Sequence, residues 1–322
     1  MARQAISFKY FVPKLSYANN GQLYNWDMQD FLDYTLMHRR EIRLAVPLGD
    51  EIADFEWPDV AYDEVNQLYR FRLSKLRSKN IPARKRVNTP KDDIILAEDE
   101  FLGEFNLLIF VPTTGVLIVQ SNFYGLTTKQ TELALTGMRN EWKRAINEEE
   151  DDMGLVSLDP IPDERAIDRA RNAEIYRSFK LRCSNVNTFI DQNFNSDLLS
   201  AAVHQTDTLQ GHNIEISVTM GGQGSRNETL GNDDVRAVID DIQYLRQQNF
   251  DVSMHIATKQ DEEHKVEFID LISPVYRTNL VLEIEDRTTI GSEYLYQNYL
   301  ELNYFDADIH AQNTLNHLLQ RN

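Results

Sequence analysis

The 322-residue sequence is poor in cysteine, in long apolar runs and in recognisable catalytic motifs. Its single cysteine, Cys183, cannot form an intramolecular disulfide, which is typical of proteins from reducing compartments. The first ten residues lack the apolar core of about 7–15 residues that a secretory signal peptide requires. No apolar run approaches the ~18 residues needed to span a bilayer. These absences predict a cytoplasmic protein without membrane insertion.

Motifs that bind metals or activate nucleophiles are also scarce. The seven histidines show neither zinc-type spacing with cysteine nor a His-Glu-x-x-His pair, and no serine stands in a Gly-x-Ser-x-Gly elbow. Apolar alternation around Cys183 predicts a core position rather than a nucleophile. The glycine-rich stretch 221–224 lacks the Lys-Ser or Lys-Thr pair of a phosphate-binding loop, so a plain turn is favoured. The sequence therefore predicts no cofactor and favours a non-enzymatic role.

Two acidic patterns keep a metal-dependent nuclease open as an alternative. Asp251 precedes Glu263-His264-Lys265, and a second acid-x-Lys pattern is Glu141-Trp142-Lys143. Such a site activates water only when its carboxylates converge on one metal ion. A predicted hairpin that turns near residue 260 separates Asp251 from Glu263 by roughly 23 Å, at ~3.3 Å per residue. The second pattern lies on a predicted helix, where positions i and i+2 diverge, so surface charge is the favoured interpretation of both.

The sequence does have an uneven distribution of charge. Its net charge of −18 comes from 33 basic and 51 acidic residues. Residues 1–145 contain 19 of each sign, whereas residues 146–322 contain 14 basic and 32 acidic residues. The negative excess therefore lies in the second half of the sequence. It supports an alternative function in which that half mimics DNA and occupies the groove of a nucleic-acid-binding protein.

The strongest local feature is a basic segment at 70–91, which contains nine basic residues and no acidic residue. Part of it is a predicted strand, and part is a predicted loop after Pro82. A block of like charge needs an anionic partner or open solvent, and phosphate groups are such a partner. The predicted nucleic-acid contacts are Arg70, Arg72, Lys75, Arg77, Arg84, Lys85 and Arg86. The alternative is that these cations pair with the acidic half, in the same subunit or in a neighbour.

Alternating apolar and polar residues predict strands in both halves, and helical stripes separate them. The clearest hairpin joins 107–111 to 116–119 around Gly115, and Thr127 with Gln130 predicts a capped helix. This mixture predicts an α+β fold class, with two mixed α/β domains and largely antiparallel sheets. The expected boundaries are an N-terminal domain at 1–147, an acidic proline-containing linker at 148–170, and an acidic C-terminal domain at 171–322 that ends in helices.

The central hairpin and the helix after it resemble a known family. Its apolar strands are residues 104–111 and 116–122, followed by Gly125-Leu126-Thr127-Thr128 and a helix that begins around Leu133 and Leu135. This order, with Gln120-Ser121-Asn122 at the end of the hairpin, is similar to the middle of the RexA-like phage-exclusion proteins and of uncharacterised bacterial and prophage proteins. The run 267–272 also resembles them.

The resemblance implies an intracellular phage-defence or phage-exclusion protein, without a catalytic centre, that binds DNA and self-associates. The hypothesis from the sequence is therefore a non-enzymatic antiviral-defence protein of bacterial or prophage origin. It binds nucleic acid or a phage protein, or a host defence protein, and forms homo-oligomers.

Overall fold

The computed structural model describes most of the chain. The described residues are 2–17, 22–38, 41–42, 44–79, 81–148, 153–163, 165–188, 190–221, 228–248, 250–262, 266–272, 274–284, 290–306 and 311–319. Helices and antiparallel sheets confirm the predicted α+β fold. The chain divides into two compact units, of which the first comprises Met1–Ile161 with Tyr276–Asn322 and the second comprises Pro162–Val275.

The first unit begins with most of its strands and two helices. They are β1 (Ala2–Ser16), β2 (Leu23–Asn25), α1 (Gln29–Met37), β3 (Ala45–Leu48), β4 (Glu51–Phe55), β5 (Ala61–Asp63), β6 (Leu68–Arg77), β7 (Arg84–Lys85), β8 (Lys91–Asp92), β9 (Leu102–Val111), β10 (Val116–Ser121), α2 (Thr128–Ala145) and β11 (Leu155–Pro160). The predicted hairpin is present as β9 and β10. The capping box of α2, formed by Thr127 and Gln130, is also confirmed.

The second unit has its own sheet and core. Its elements are α3 (Ala166–Asn172), β12 (Ile175–Cys183), α4 (Asp197–Thr208), β13 (Ile214–Thr219), α5 (Asn232–Gln247), β14 (Val252–Lys259) and β15 (Glu267–Asp270). The antiparallel sheet has the order β13-β12-β14-β15, and its apolar face packs on α4 and α5. Cys183 is fully buried there, and burial, followed by the nearby Asp251, raises the pKa of its thiol to about 12. The predicted core position of Cys183 is therefore confirmed.

After the second unit the chain returns to the first. It forms β16 (Arg277–Ile284), α6 (Ser292–Tyr299), a π-helical turn (Leu300–Tyr304) and α7 (Ala311–Leu319). β16 pairs with β1 over eight residue pairs, from Ala2–Ile284 to Lys9–Arg277. None of the helices in the described residues is both long and apolar enough to cross a membrane.

This return of the chain differs from the predicted domain boundaries. Part of the predicted linker is strand, because β11 pairs with β1 from Phe11–Pro160 to Ser16–Leu155. The segment from Tyr276 onward belongs to the first unit, since β16 and α6 complete the sheet and core of that unit. Pairing between strands that lie more than 260 residues apart leaves no signal in local composition.

The corrected boundaries also change the charge distribution. The first unit contains 22 basic and 32 acidic residues, and the second contains 11 basic and 19 acidic residues. Their net charges are therefore −10 and −8. The neutral and acidic halves of the sequence do not correspond to the two units of the structure.

Helices cover both faces of the large sheet, whose main strand order is β11-β1-β10-β9-β6-β4-β3. On one face, which we call the α2 face, α1 and α2 pack on residues such as Phe71 and Leu108. On the other, the α6 face, α6 and α7 pack on residues such as Phe8 and Ile109. Burial on both sides explains the continuous apolar runs of β9 and β10, which are typical of strands covered on both faces.

Candidate functional site

The four predicted contact residues on β6 lie on opposite faces of the sheet. Side chains alternate along a strand, and Phe71 of β6 points to the α2 face. Lys75 and Arg77 therefore share the α2 face, whereas Arg70 and Arg72 share the α6 face. A phosphate backbone that runs over one face of this sheet reaches at most two of the four cations.

Arg72 is neutralised by the fold. It forms ion pairs with Glu56, which directly precedes the short 3-10 helix Trp57–Asp59, and with Asp59, the last residue of that helix. Its guanidinium carbon lies 4.8 Å from the centre of the Phe105 ring. The hydroxyl of Ser74, two residues along β6, donates to Glu56. The guanidinium of Arg72 is therefore in contact with two carboxylates and one aromatic ring of the protein itself.

Arg70 is held by α6 in a similar way. It pairs with Glu293 and lies over the ring of Tyr296, 4.9 Å from its centre. The hydrogen bond from Gln297, together with the ion pair with Arg70, lowers the pKa of Glu293 below its usual value. The Tyr296 hydroxyl donates to Asp63 at 2.8 Å, and burial, followed by this hydrogen bond, raises the pKa of Tyr296. These contacts connect β6 to α6.

Lys75 has its partner on the neighbouring strand. Its Nζ lies 2.9 Å from Glu51 Oε2, and that same carboxylate oxygen accepts a hydrogen bond from Gln130 of α2 at 3.1 Å. Lys75 therefore contributes to the packing of α2 on the sheet. The sequence predicted pairing with the acidic half, residues 146–322, but of the described partners of these three cations only Glu293 lies there. Glu51, Glu56 and Asp59 belong to the neutral half.

The remaining predicted contacts lie on the hairpin of β7 and β8. Arg84 faces Asp92 across this hairpin at 3.8 Å, and their side chains are 75% and 76% exposed. Arg86 is exposed as well, while the side chain of Lys85 lies outside the described part of the structure. Ion pairs at such exposure contribute little, with ~0–1 kcal/mol as the usual range. We call residues 82–93 the basic arm.

The nuclease patterns are not brought together within the described residues. Asp251 precedes β14 at the far end of the β14–β15 hairpin, which pairs Thr258 with Glu267. Residues 263–265 and 222–224 lie outside the described residues. On α2, Glu141 and Lys143 pair separately, with Arg144 and Glu148. In the part of the chain that the structure describes, no three His, Cys, Asp or Glu side chains are grouped so as to hold a metal ion.

A cleft that sequence reasoning missed lies where β10 ends. It has a volume of about 660 Å³ and is lined by residues 4–6 of β1, residues 103–105 of β9 and the end of β10, with Ile290 and Gly291 before α6 also contributing. β10 pairs with β1 as far as Ser7–Ser121 and with β9 as far as Leu108–Val119. Both flanking strands continue beyond these pairs. The cleft is therefore the space that a longer β10 would fill.

Three amide side chains terminate β10 at this cleft. Gln120 Oε1 accepts from the Leu107 backbone N–H at 2.9 Å, and Asn122 Nδ2 donates to the Phe105 carbonyl at 2.9 Å. Buried Asn106 donates to the Gln120 carbonyl at 2.8 Å. These bonds replace backbone ladder bonds, so the Gln120-Ser121-Asn122 motif ends the strand. In the sequence, the early end of β10 is indicated by the polar amide residues that follow its apolar run.

Exposed aromatic residues and acidic charge surround the cleft. Phe123 is 93% exposed, Tyr124 is 60% exposed, and their rings meet edge to face at 5.1 Å. Glu104 is an exposed lining residue. Arg72 also lines the cleft, but its charge is balanced by two carboxylates. Lys75 of β6 lies opposite Glu104 of β9 but is paired with Glu51, so among these described residues the carboxylates outnumber the cations.

The fold and these surfaces define a two-unit α+β protein with an exposed basic arm and a cleft at the end of a sheet strand. The chain belongs to a family described as a family of unknown function (DUF6731), whose model matches residues 1–313. No curated protein was found to match the chain. The family match spans both compact units and includes the basic arm and the cleft.

Proposed function

We propose that this protein is a non-enzymatic phage-defence protein that acts in the cytoplasm and binds nucleic acid through its basic arm. The observation that carries the nucleic-acid assignment is the contrast between two groups of cations. Arg70, Arg72 and Lys75 are partly buried and paired with carboxylates in the fold. Arg84 is exposed, with Asp92 3.8 Å away, and Arg86 is exposed as well. The resemblance of residues 104–135 to RexA-like proteins supports the defence role.

Three consecutive cations on a hairpin suit contact with phosphate groups. Phosphate contacts supply affinity and carry no sequence information, so binding is expected to be non-specific. The net charge of −18 opposes this binding, but repulsion is largely screened beyond about 8 Å at physiological salt. The arm must therefore act at short range. We expect weak binding, with a log–log salt slope of about −2 to −3 for three contacts.

The alternative of a DNA mimic is not favoured by the charge of the two units. The hypothesis assigned the mimicry to an acidic second half that carries the whole negative excess. The two units instead carry −10 and −8. Nucleic-acid binding therefore remains the proposal that a specific surface favours.

Fluorescence anisotropy with labelled single-stranded and double-stranded DNA tests the proposal. The arm variant is R84E/K85E/R86E, and the matched control is R3E/K129E/R144E, which reverses three exposed cations of the same unit and makes the same change in net charge. We expect about a tenfold or greater loss of affinity for the arm variant at low salt and under threefold for the control. Equal losses, or no binding by the wild type, would overturn the assignment.

Self-association is part of the same proposal. Light scattering with and without DNA measures it directly on the full chain. We expect an oligomer, and a mass that corresponds to one subunit under both conditions would contradict it.

A further inference from the structure

We propose that the cleft at the end of β10 binds an extended peptide segment of a partner protein, which adds as a short strand between β1 and β9. This surface is distinct from the basic arm and from nucleic-acid binding. β1 and β9 are the two neighbours of β10. Beyond its end they lie two strand spacings apart, roughly 9–10 Å, which is the space for one extended chain.

The backbone of β1 presents hydrogen-bonding groups to this cleft. The Tyr10 carbonyl accepts from Ile161 on the β11 side of β1, and the Pro13 carbonyl accepts from Trp26 on the opposite side, which β10 also occupies. Successive residues of a strand alternate between its two edges. Odd-numbered residues of β1 therefore face β10. Ala5 is the first of them beyond the last pair with β10.

The hydrogen bonds of β9 show which of its residues face β10. The N–H of Leu107 and the carbonyl of Phe105 point toward β10, because they already bond to Gln120 and Asn122. The register of β9 with β6 continues without a shift to Leu102. By alternation, Gly103 is the next residue that faces the cleft.

The two facing positions have small side chains and are open to solvent. Ala5 and Gly103 are both exposed although they lie within long strands of a sheet. Strand side chains project from the faces of the sheet, so the space between β1 and β9 is open because β10 ends there. Exposed strand edges of this kind pair readily with an added strand, the mode called β-augmentation.

The surroundings of the cleft favour a basic peptide. Glu104 is exposed at the cleft, and the charges of Glu56 and Asp59 exceed that of Arg72. The exposed rings of Phe123 and Tyr124 at the rim offer cation–π contact to Lys or Arg. The same negative charge opposes phosphate groups, so the cleft suits a peptide better than a nucleic acid.

Ala5→Pro is the variant that tests backbone pairing. It removes the N–H that faces the cleft, and the bonds of β1 to β16 remain because the even-numbered residues make them. Random twelve-residue peptides displayed on phage are selected on the full-length wild-type protein and then measured as synthetic peptides. We expect enrichment of peptides that contain Lys or Arg, and at least a tenfold affinity loss in Ala5→Pro. Amide hydrogen exchange should show new protection at Ala5 and Gly103 when peptide is bound.

Glu104→Lys keeps the proposal testable if Ala5→Pro fails to fold. We expect a loss of affinity of about tenfold for basic peptides, whereas the matched control Glu141→Lys, on exposed α2 surface, changes affinity less than twofold. Absence of any enriched peptide overturns the proposal. Equal affinity of the wild type and Glu104→Lys, or protection confined to residues outside β1 and β9, also overturns it.

Discussion

The cations of β6 and those of the basic arm are neighbours in sequence but differ in their environment. Arg70, Arg72 and Lys75 have side chains that are 23%, 21% and 18% exposed, and each pairs with a carboxylate. Arg84 is 75% exposed, with its acid partner 3.8 Å away. A strand inside a large sheet brings its cations against acids from adjacent elements, while a surface hairpin has few neighbours. The fold therefore determines which of these cations can contact a ligand.

The substitution expected to show the largest difference in stability between the β6 cations and the basic arm is Arg72→Met. Removal of this cation leaves Glu56 and Asp59 partly buried without their partner. We expect the free energy of unfolding to fall by about 2 kcal/mol, less than the ~3–5 kcal/mol typical of a fully buried pair. Arg84→Met should change it by no more than about 0.5 kcal/mol. Urea unfolding followed by circular dichroism measures both variants.

A variant that also removes the acids provides the control for Arg72→Met. In R72M/E56Q/D59N neither Glu56 nor Asp59 is left as an unpaired charge, so stability should recover by about 1 kcal/mol relative to R72M. Equal stability of Arg72→Met and Arg84→Met would mean that the paired and exposed cations do not differ in energy. That result would remove the basis for assigning the arm alone to binding.

Much of the fold was predictable because its signals are local. The alternation in β6, β9 and β10 and the Thr127 capping box each specify one element from a few residues. The helix α4 was missed, although Ser196 caps it by accepting from the Leu199 N–H and precedes two leucines. Its signal was present but short.

The site was less predictable because its determinants lie far apart in sequence. Arg70 meets Glu293, more than 200 residues away, and β1 meets β16 at a similar separation. The cleft depends on a difference in strand length between β10 and its neighbours. A run of cations shows where charge is, but its partners appear only when the sheet is assembled.

The smallest expected effect concerns the acid dependence of the contact between Asp63, at the end of β5, and Tyr296 of α6. Burial alone would raise the pKa of Asp63, but hydrogen bonds from Asn66, Tyr296 and Val65 outweigh it and lower that pKa. A carboxyl whose pKa is lower in the folded state contributes stability above its unfolded pKa of about 4, and this contribution is lost as pH falls through the folded value. Asp63→Asn should therefore cost about 1 kcal/mol at pH 7 and progressively less as the pH falls below about 4.

Thermal unfolding of Asp63→Asn and wild type between pH 7 and pH 2.5 measures this difference. The matched variant on the arm is Asp92→Asn, which removes the exposed partner of Arg84 and should leave stability at pH 7 within about 0.5 kcal/mol of wild type. If Asp63→Asn lowers stability equally at both ends of the pH range, the Asp63 charge does not stabilise the contact with Tyr296. The attachment of β6 to α6 would then depend on packing and on the Arg70–Glu293 pair.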